Sequence, residues 1–304
     1  MKKRGRALLT VLLAGTVLSG CMKDASVKQT DASSQLPKPS KMRTNINTDQ
    51  IHYMNTAKES VDTTGWSKTN TPVHIPILMF HSISSGNSLR VPKEQFQQEM
   101  KWLKDNGYYT LSPEEALTVL TENKEPSKKI VLITFDDGYK DNYTVAYPIL
   151  KKYGMKATIF MIGKAIGYKT HLSEKQMLDM SQHDISIESH TISHLDLNSL
   201  PAKQQEFELD HSKVLFDKMF KQNTIMLAYP SGRYNNETLA IAKAAGYKMA
   251  VTTEPGSAAS DEGMLTLHRV RISPGMTLPA FARLMEIYGI GTSGAQALKS
   301  TKHV

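Results

Sequence analysis

Two adjacent carboxylates stand at the end of a largely apolar stretch of the sequence. The run Ile130–Phe135 leads directly into Asp136, Asp137 and Gly138. Such a run predicts a buried strand, and the glycine allows the backbone to turn behind it. An Asp-Asp-Gly sequence is usually only a polar turn, but two neighbouring carboxylates repel each other and have no evident structural purpose after a buried strand. We therefore interpret Asp136 and Asp137 as candidate functional residues.

Two histidines follow a second predicted strand. The segment Ile185–Glu188 leads into His190 and His194, which are four residues apart. On a helical turn or in a tight loop, this spacing lets two imidazoles face one metal ion. Two histidines and one carboxylate are a common ligand set for a hydrolytic metal, with positions left open for water and substrate. Together with the separate Asp-Asp pair, the two histidines therefore predict a metal site.

Short apolar runs alternate with amphipathic segments from Val73 onward, and these elements must position the candidate residues. The alternation is typical of repeated βα units. We predict strands at Ile75–Phe80, Lys129–Phe135, Ala157–Ile162, Ile185–Glu188, Ile225–Ala228, Lys248–Val251 and Leu267–Ile272. Helices are predicted at Lys93–Asp105, Pro113–Glu122, Asn142–Tyr153, Ser173–Gln182, Ala202–Phe220, Asn236–Ala245 and Leu278–Tyr288. This α/β pattern favours a (β/α) barrel over an open doubly wound sheet, and both gather ligands at the carboxyl ends of the strands.

The first residues have the pattern of an export signal. Basic residues at positions 2, 3, 4 and 6 precede the apolar run Ala7–Leu18, and Leu18-Ser19-Gly20-Cys21 follows. This arrangement resembles a bacterial lipoprotein signal, and its apolar run is too short to span a bilayer stably. We expect a signal peptide over residues 1–20 and a lipid anchor on Cys21, the single cysteine of the chain. Such an anchor would hold the protein at the extracytoplasmic face of the cell membrane.

The remaining chain divides into a tether, a folded domain and a tail. Residues 21–72 contain few large apolar side chains, which predicts a disordered tether, with a short docked helix at Ile51–Ser60 as the alternative. We place the folded domain at residues 73–290 and a polar tail at residues 291–304. The formal net charge is +8, and removal of the signal leaves 33 basic against 29 acidic residues. That small excess is not typical of nucleic-acid binding, and we expect a monomer.

The strand-end motifs resemble those of a known family. The segments around Asp136-Asp137, His190 to His194 and Tyr229-Pro230-Ser231-Gly232, in this order and spacing, are similar to the first three motifs of the polysaccharide deacetylases, carbohydrate esterase family 4. The resemblance covers about Ile75 to Tyr288. The opening segment Ile77–His81 and the Tyr-Pro-x-Gly form of the third motif most resemble the exopolysaccharide branch, which includes deacetylases of poly-N-acetylglucosamine. It implies a distorted (β/α)7 barrel that removes acetyl groups from N-acetylglucosamine units of a polymer. It also implies a divalent metal, usually Zn²⁺, with Co²⁺, Ni²⁺ or Mn²⁺ as alternatives.

The resemblance assigns roles residue by residue. Asp137, His190 and His194 match the metal ligands, and Asp136 matches the general base. Zinc lowers the pKa of a bound water molecule, so a neighbouring carboxylate can take its proton at neutral pH. The Tyr229 backbone N–H, followed by Pro230, matches a donor to the oxyanion of the tetrahedral intermediate. An arginine that steadies the base is also implied. Arg233 does not align with it, so Arg269 or Arg271 on the last predicted strand could serve instead.

The general acid that protonates the leaving amine is less well defined. The family's fifth motif reads Leu-x-His, whereas this chain has Leu267-His268-Arg269 without the spacer. Because adjacent strand residues point to opposite faces, the shift could turn His268 away from the pocket. His81, at the end of the first predicted strand, is the second candidate. Both histidines therefore remain candidate acids.

Three classes of function are compatible with this sequence. The leading hypothesis is a membrane-tethered, metal-dependent deacetylase of an N-acetylglucosamine polymer. A carbohydrate-binding protein could retain the barrel without turnover, and an esterase acting on O-acetylated xylan or small esters could use the same metal site. Peptidoglycan, poly-N-acetylglucosamine and chitin oligomers all remain candidate substrates of the leading hypothesis.

Overall fold

The computed structural model describes residues 61–289. The predicted signal peptide, Cys21, the tether up to residue 60 and the tail at residues 291–304 lie outside the described residues. None of the helices between residues 61 and 289 combines the length and apolar character needed to cross a bilayer.

A closed barrel of seven parallel strands forms the centre of the fold. The strands are β2 Ile77–Phe80, β5 Ile130–Phe135, β6 Ala157–Met161, β7 Ile185–Ser189, β8 Met226–Ala228, β9 Met249–Pro255 and β10 Leu267–Arg271. They pair in the order β2-β10-β9-β8-β7-β6-β5, and a further pairing of β5 with β2 closes the ring. All seven predicted strands are present, and closure confirms the (β/α)7 barrel over the open sheet.

Seven α-helices surround the barrel. They are α1 Lys93–Asp105, α2 Pro113–Glu122, α3 Tyr147–Tyr153, α4 Glu174–Ser181, α5 Ala202–Phe220, α6 Asn236–Ala245 and α7 Leu278–Gly289, and a π-helical turn, Asn142–Ala146, precedes α3. Capping explains the starts of several of them. The Ser112 hydroxyl accepts the N–H of Glu115, whose carboxylate accepts the N–H of Ser112, so α2 begins with a reciprocal cap.

Three short strands lie outside the barrel. β3, Tyr109–Thr110, pairs with β5, and β1, Trp66–Lys68, pairs antiparallel with β4, Lys124–Pro126. β1 lies within the segment that the sequence predicts to be tether, so the folded part begins before residue 73. Trp66 contacts the Tyr109 ring edge-on, with ring centroids 6.4 Å apart. Three residues with one large side chain leave too little periodicity to reveal such a strand from sequence.

Alternate residues of the barrel strands enter different parts of the core. On β5, Ile130 and Leu132 pack in one cluster with Phe160, whereas Val131 and Ile133 belong to the larger cluster that includes residues of the surrounding helices. This two-residue alternation follows from strand geometry, and burial on both faces explains the continuous apolar sequence. The strand is therefore fixed on both sides, and it holds the Asp-Asp pair firmly at its carboxyl end.

Candidate active site

The structure brings Asp137, His190 and His194 together at the carboxyl end of the barrel. Asp137 follows β5 and His190 follows β7, and both are buried. Oδ1 of Asp137 lies 3.5 Å from Nε2 of His190 and 3.5 Å from Nε2 of His194. All three ligand atoms lie within 4.8 Å of one another, and residues 61–289 contain no second group of this kind. The predicted set of three side chains therefore converges on one point.

The donor atoms fit a divalent metal. Ligand atoms about 2.1 Å from zinc and a tetrahedral angle apart are separated by about 3.4 Å, close to the separations observed. Nδ1 of His190 lies 2.8 Å from the Ala228 carbonyl oxygen. Because a carbonyl only accepts, Nδ1 carries a proton, and Nε2 is the nitrogen that is left to bind a metal ion. Two imidazole nitrogens and one carboxylate oxygen are the chemistry of a hydrolytic zinc site.

The backbone is strained where it presents these ligands. Asp137, Thr191, His194 and Ser231 all have positive φ, at 70°, 62°, 56° and 56°. Positive φ is unfavourable for side chains other than glycine, above all for a β-branched residue such as threonine. Residues held in such conformations concentrate at functional sites. Four of the seven described non-glycine residues with positive φ lie at this one site, which marks it independently of residue type.

Hydrogen bonds from neighbouring elements hold the strained histidine loop. Oε2 of Glu208, on α5, accepts the N–H groups of Ile192 at 3.0 Å and Ser193 at 2.7 Å. The Thr191 hydroxyl oxygen accepts the N–H of His194 at 3.1 Å. Glu208 is buried, so these charge-assisted bonds are well shielded from water. They fix the direction in which His194 approaches Asp137.

Gly138 allows the chain to turn immediately after Asp137. Its φ is +76°, and a Cβ at this position would lie 2.0 Å from Sδ of Met161. Both the conformation and the space therefore require glycine. This close approach explains why the Asp-Asp pair is followed by glycine.

Asp136 pairs with Arg269, an arginine of strand β10. Nη1 and Nη2 of Arg269 donate to Oδ1 and Oδ2 of Asp136, both at 2.7 Å, and Nε donates to the Thr252 carbonyl at 2.8 Å. Burial raises the pKa of Asp136, but the charge and hydrogen bonds of Arg269 outweigh burial and hold this pKa well below its usual range. Asp136 is therefore ionised, as a general base must be.

Of the three arginines considered from sequence, Arg269 is the partner of the base. Arg233 instead pairs with Asp196 at 2.8 Å, and its side chain is 61% exposed. Arg271, two residues beyond Arg269, does not contact Asp136 and lines the cavity above the site.

His81 lies in the site. It lines the same cavity as the ligands, and its Nε2 is 3.8 Å from Oδ2 of Asp136. Asn142 fixes its backbone by donating to the His81 carbonyl at 2.7 Å. Burial lowers the pKa of His81, and the charges of Asp136 and Asp137 partly oppose that effect. His81 is thus placed to exchange a proton with a bound substrate.

His268 does not lie in the site. Its Nδ1 is 3.3 Å from Oε2 of Glu262, and its ring lies so close to Gly256 that a Cβ there would be 2.7 Å from Nδ1. The pairing register of β10 with β9 shifts between Leu267 and Arg269, and Arg269 is the residue that faces the barrel interior. The missing spacer has therefore turned His268 away from the cavity, contrary to its candidate role as the acid.

The Tyr229 turn differs from the expected oxyanion donor. The Tyr229 N–H donates to the Val251 carbonyl at 3.2 Å, as part of the pairing between β8 and β9. Pro230, which is buried, has no N–H to offer. Tyr229 and Ser231 nevertheless line the cavity. The turn thus contributes to the wall of the site, but its first N–H is already paired.

One cavity of about 280 Å³ is lined by six of the residues that the sequence predicts for the site, namely His81, Asp136, Asp137, His190, His194 and Tyr229. It is also lined by Leu89, Ser231, Thr253 and Arg271. Leu89 and Thr253 carry no sequence signal that would single them out. Arg271 does carry one, because it stands two positions from Arg269 on a strand and therefore shares its face.

Water activation beside a carboxylate base is the chemistry of a hydrolase, and this is the class of enzyme that the barrel and its site define. A family profile described as polysaccharide deacetylase matches residues 123–250, which include the Asp-Asp pair and both histidines. The chain is 55% identical over 281 residues to YxkH of Bacillus subtilis (strain 168), whose name assigns it provisionally to the polysaccharide deacetylases. This similarity spans 92% of the chain and 98% of YxkH. The chain belongs to the polysaccharide deacetylase family.

Two further relatives agree with this assignment. The structure of the deacetylase PplD of Streptococcus pyogenes, in complex with acetate, superimposes with a TM-score of 0.68 at 44% identity, covering 71% of this chain and 99% of PplD. A poly-beta-1,6-N-acetyl-D-glucosamine N-deacetylase of Staphylococcus aureus (strain MSSA476) is 30% identical over 211 residues, covering 65% of this chain and 72% of that protein. The fold and the deacetylase assignment therefore rest on sequence and structure alike.

Proposed function

We propose that this deacetylase removes N-acetyl groups from N-acetylglucosamine units of a cell-envelope or extracellular polysaccharide, with a divalent metal, Zn²⁺ first among the candidates. The observation that carries the proposal is the group of Asp137, His190 and His194, with 3.5 Å between ligand atoms, beside a base held by Arg269. The named activity of the Staphylococcus aureus relative supports the choice of amide over ester.

Asp137, His190 and His194 would hold the metal ion. When bound, it would supply Lewis acidity toward the acetamide carbonyl and toward the attacking water. Asp136 accepts the proton that the water loses as its oxygen attacks the carbonyl carbon. Arg269 binds both oxygens of Asp136 and so keeps the carboxylate ionised and oriented during this transfer.

His81 donates the proton that the leaving nitrogen requires. The amide C–N bond breaks as this nitrogen becomes an amine, and the products are acetate and a glucosamine unit. The position of His81 in the cavity, 3.8 Å from Asp136, supports this role. General acid catalysis of this kind typically contributes a factor of about 10² to 10⁴.

We further propose that the enzyme works at the extracytoplasmic face of the membrane, anchored through lipid on Cys21. The support is the sequence pattern of basic residues, apolar run and Leu-Ser-Gly-Cys at residues 1–21. A tether behind the anchor would let the barrel reach a polymer in the envelope.

The decisive experiment measures acetate released from defined polymers. Purified protein is incubated with peptidoglycan, poly-N-acetylglucosamine, chitin oligomers and O-acetylated xylan, each with and without a chelator. Chelator-sensitive acetate from an N-acetylated polymer supports the proposal, and an Asp136→Asn variant is the control for contaminating activity. Release from xylan alone would identify an esterase. Binding of a polymer without any release would identify a carbohydrate-binding protein.

A further inference from the structure

Arg271 places a positive charge in the active-site cavity that nothing in the described structure neutralises. It is the exposed last residue of β10 and lines the cavity together with the base and the metal ligands. Within residues 61–289, no hydrogen bond or ion pair engages its guanidinium group. An unpaired guanidinium at a catalytic cavity is available to bind an anion from solution.

Strand geometry explains why Arg271 faces the cavity. Arg269 and Arg271 are two residues apart on β10 and therefore share a face, whereas Val270 between them packs in the core on the other side. Arg269 is buried and pairs with Asp136 at the floor of the site. Arg271 lies two residues closer to the carboxyl end of β10, so its charge lies at the mouth of the cavity.

The other charged groups of the cavity do not offset Arg271. The charge of Asp136 is compensated by the double hydrogen bond from Arg269. Asp137 faces the two imidazoles and, with a divalent ion on this ligand set, would be more than compensated. The guanidinium of Arg271 is thus left without a neutralising partner among the residues that line the cavity, which favours a negatively charged group on the substrate.

We propose that Arg271 binds an anionic group, a carboxylate or a phosphate, on the sugar unit next to the N-acetyl group under attack. The enzyme then prefers an acidic glycan to a neutral homopolymer of N-acetylglucosamine. This inference rests on the proposed deacetylase function and names its substrate class. The planar fork of arginine matches the paired oxygens of carboxylate and phosphate. The acetamide itself is neutral, so the partner of Arg271 must be another part of the polymer.

The product chemistry points in the same direction. Each deacetylation converts a neutral acetamide into an amine, which can take up a proton and become an ammonium group. On a homopolymer, successive reactions would bring ammonium groups beside Arg271, and like charges repel. On a polymer with an anionic unit beside each N-acetylglucosamine, the anion is retained after the reaction. The positive charge of Arg271 at the mouth of the cavity therefore favours a glycan in which acidic units alternate with N-acetylglucosamine.

Four substrates test this proposal. One is a peptidoglycan fragment in which a lactyl carboxylate lies beside the N-acetylglucosamine, and the second is the same fragment with its carboxyl group reduced to an alcohol. The third is an N-acetylglucosamine oligomer bearing a phosphate on the neighbouring sugar, and the fourth is a neutral chitin tetramer. Values of kcat and KM are measured for the metal-loaded full-length enzyme and for Arg271→Ala, Arg271→Lys and Arg271→Glu. Arg283→Ala, an exposed arginine on α7, is the matched control.

We expect the wild-type enzyme to prefer the carboxylated or phosphorylated substrate, and the arm with the lower KM identifies the anion. Arg271→Ala should lower the ratio of kcat/KM on that substrate to kcat/KM on the tetramer by about tenfold to a hundredfold, mainly through KM. Arg271→Lys should recover part of the preference, Arg271→Glu should reverse it, and Arg283→Ala should match the wild type. The wild-type preference should also weaken as salt is added.

Two results would overturn the proposal. A ratio that does not change in Arg271→Ala would show that the guanidinium does not select substrate. An equal fall of kcat on all four substrates would assign Arg271 to the reaction itself. If no acetate is released from any substrate, the proposed function fails, but Arg271 is still tested by calorimetric titration of the acidic fragments into Asp136→Asn protein with and without Arg271→Ala.

Discussion

Arg269 binds both carboxylate oxygens of Asp136 across the barrel floor, each at 2.7 Å, and both side chains are buried. A buried, ionised carboxylate without such a partner would lower the free energy of unfolding. The pair is therefore needed for the stability of the fold as well as for the proposed base. The adjacent residue, Asp137, faces two histidines instead. One peptide bond therefore separates the proposed general base from a proposed metal ligand, and the two carboxylates have different partners although they are adjacent in sequence.

Replacing Asp136 by Asn should abolish most turnover and leave the metal in place. Asparagine keeps the shape of the side chain but cannot accept the proton of the attacking water, and loss of a general base typically costs a factor of about 10² to 10⁴. The measurement is acetate release together with metal content. Loss of the metal, with activity retained in whatever protein still holds it, would mean that the roles of Asp136 and Asp137 are interchanged.

Replacing His190 or His194 by Ala should remove metal and activity together, because each imidazole is one of the three side chains that we propose as metal ligands. We expect about one divalent ion per wild-type chain, measured by elemental analysis after purification without chelators. His183→Ala, an exposed histidine two residues beyond the end of α4, is the matched control and should retain the ion. Wild-type protein that contains no metal and gains no activity from added zinc or cobalt would contradict this prediction.

Replacing Cys21 by Ser should release the protein from the membrane fraction or leave its signal uncut, because the proposed lipid is attached to that one thiol. Fractionation of cells and the mass of the N-terminal fragment provide the readout. A variant that stays processed and membrane-bound would exclude the lipid anchor.

Glu99 makes the stability of the fold depend on pH. This residue of α1 is buried, and burial raises the pKa of its carboxyl group to about 8, although a hydrogen bond from Gln95 opposes the shift. The folded-state pKa lies above the value of 4.5 for the free side chain, so the protonated form favours folding. Its contribution is complete below about pH 4.5 and is lost as the pH rises toward about 8.

Replacing Glu99 by Gln should therefore flatten the pH dependence and stabilise the protein at neutral and alkaline pH, by an amount on the order of 3 kcal/mol. Denaturant unfolding at several pH values between these limits measures the effect. Glu94→Gln, an exposed position on the same helix, should leave the pH slope unchanged. A Glu99→Gln variant that is less stable than the wild type at pH 8 would show that the ionised carboxylate of Glu99 stabilises the fold.

The barrel could be predicted from sequence because most residues of its strands are buried on both faces and several of its helices have local start signals. Ser112 and Ser173, for example, both form reciprocal caps with the residue three positions on. The convergence of Asp137, His190 and His194 could be predicted because residue type and spacing at two strand ends indicate it. The β1 strand around Trp66 could not, because its stability comes from pairing with residues more than fifty positions away.

Other parts of the site depend on three-dimensional packing that no local pattern contains. Arg269 and Arg271 are equally plausible partners of Asp136 in sequence, and only the closure of the barrel brings Arg269 onto Asp136 and leaves Arg271 lining the cavity. The pairing of the Tyr229 N–H with Val251 likewise depends on the register of two strands. Such details follow from tertiary structure, which is why the candidate base and metal ligands are easier to infer from sequence than the groups around them.

The proposed mechanism assigns the role of general acid to His81. His81 lines the cavity and lies 3.8 Å from Asp136, whereas His268 packs against Gly256 and Glu262. Replacing His81 by Ala should therefore lower kcat by a factor of about 10² to 10⁴ without loss of metal. His268→Ala should leave kcat within a fewfold of the wild type, and His81→Gln separates the loss of the proton from the loss of side-chain volume. If His81→Ala and His268→Ala both retain near-normal rates, no histidine outside the metal ligands is the acid. The proton that Asp136 takes from water would then be the one delivered to the leaving amine, and Asp136 would serve as base and acid in turn.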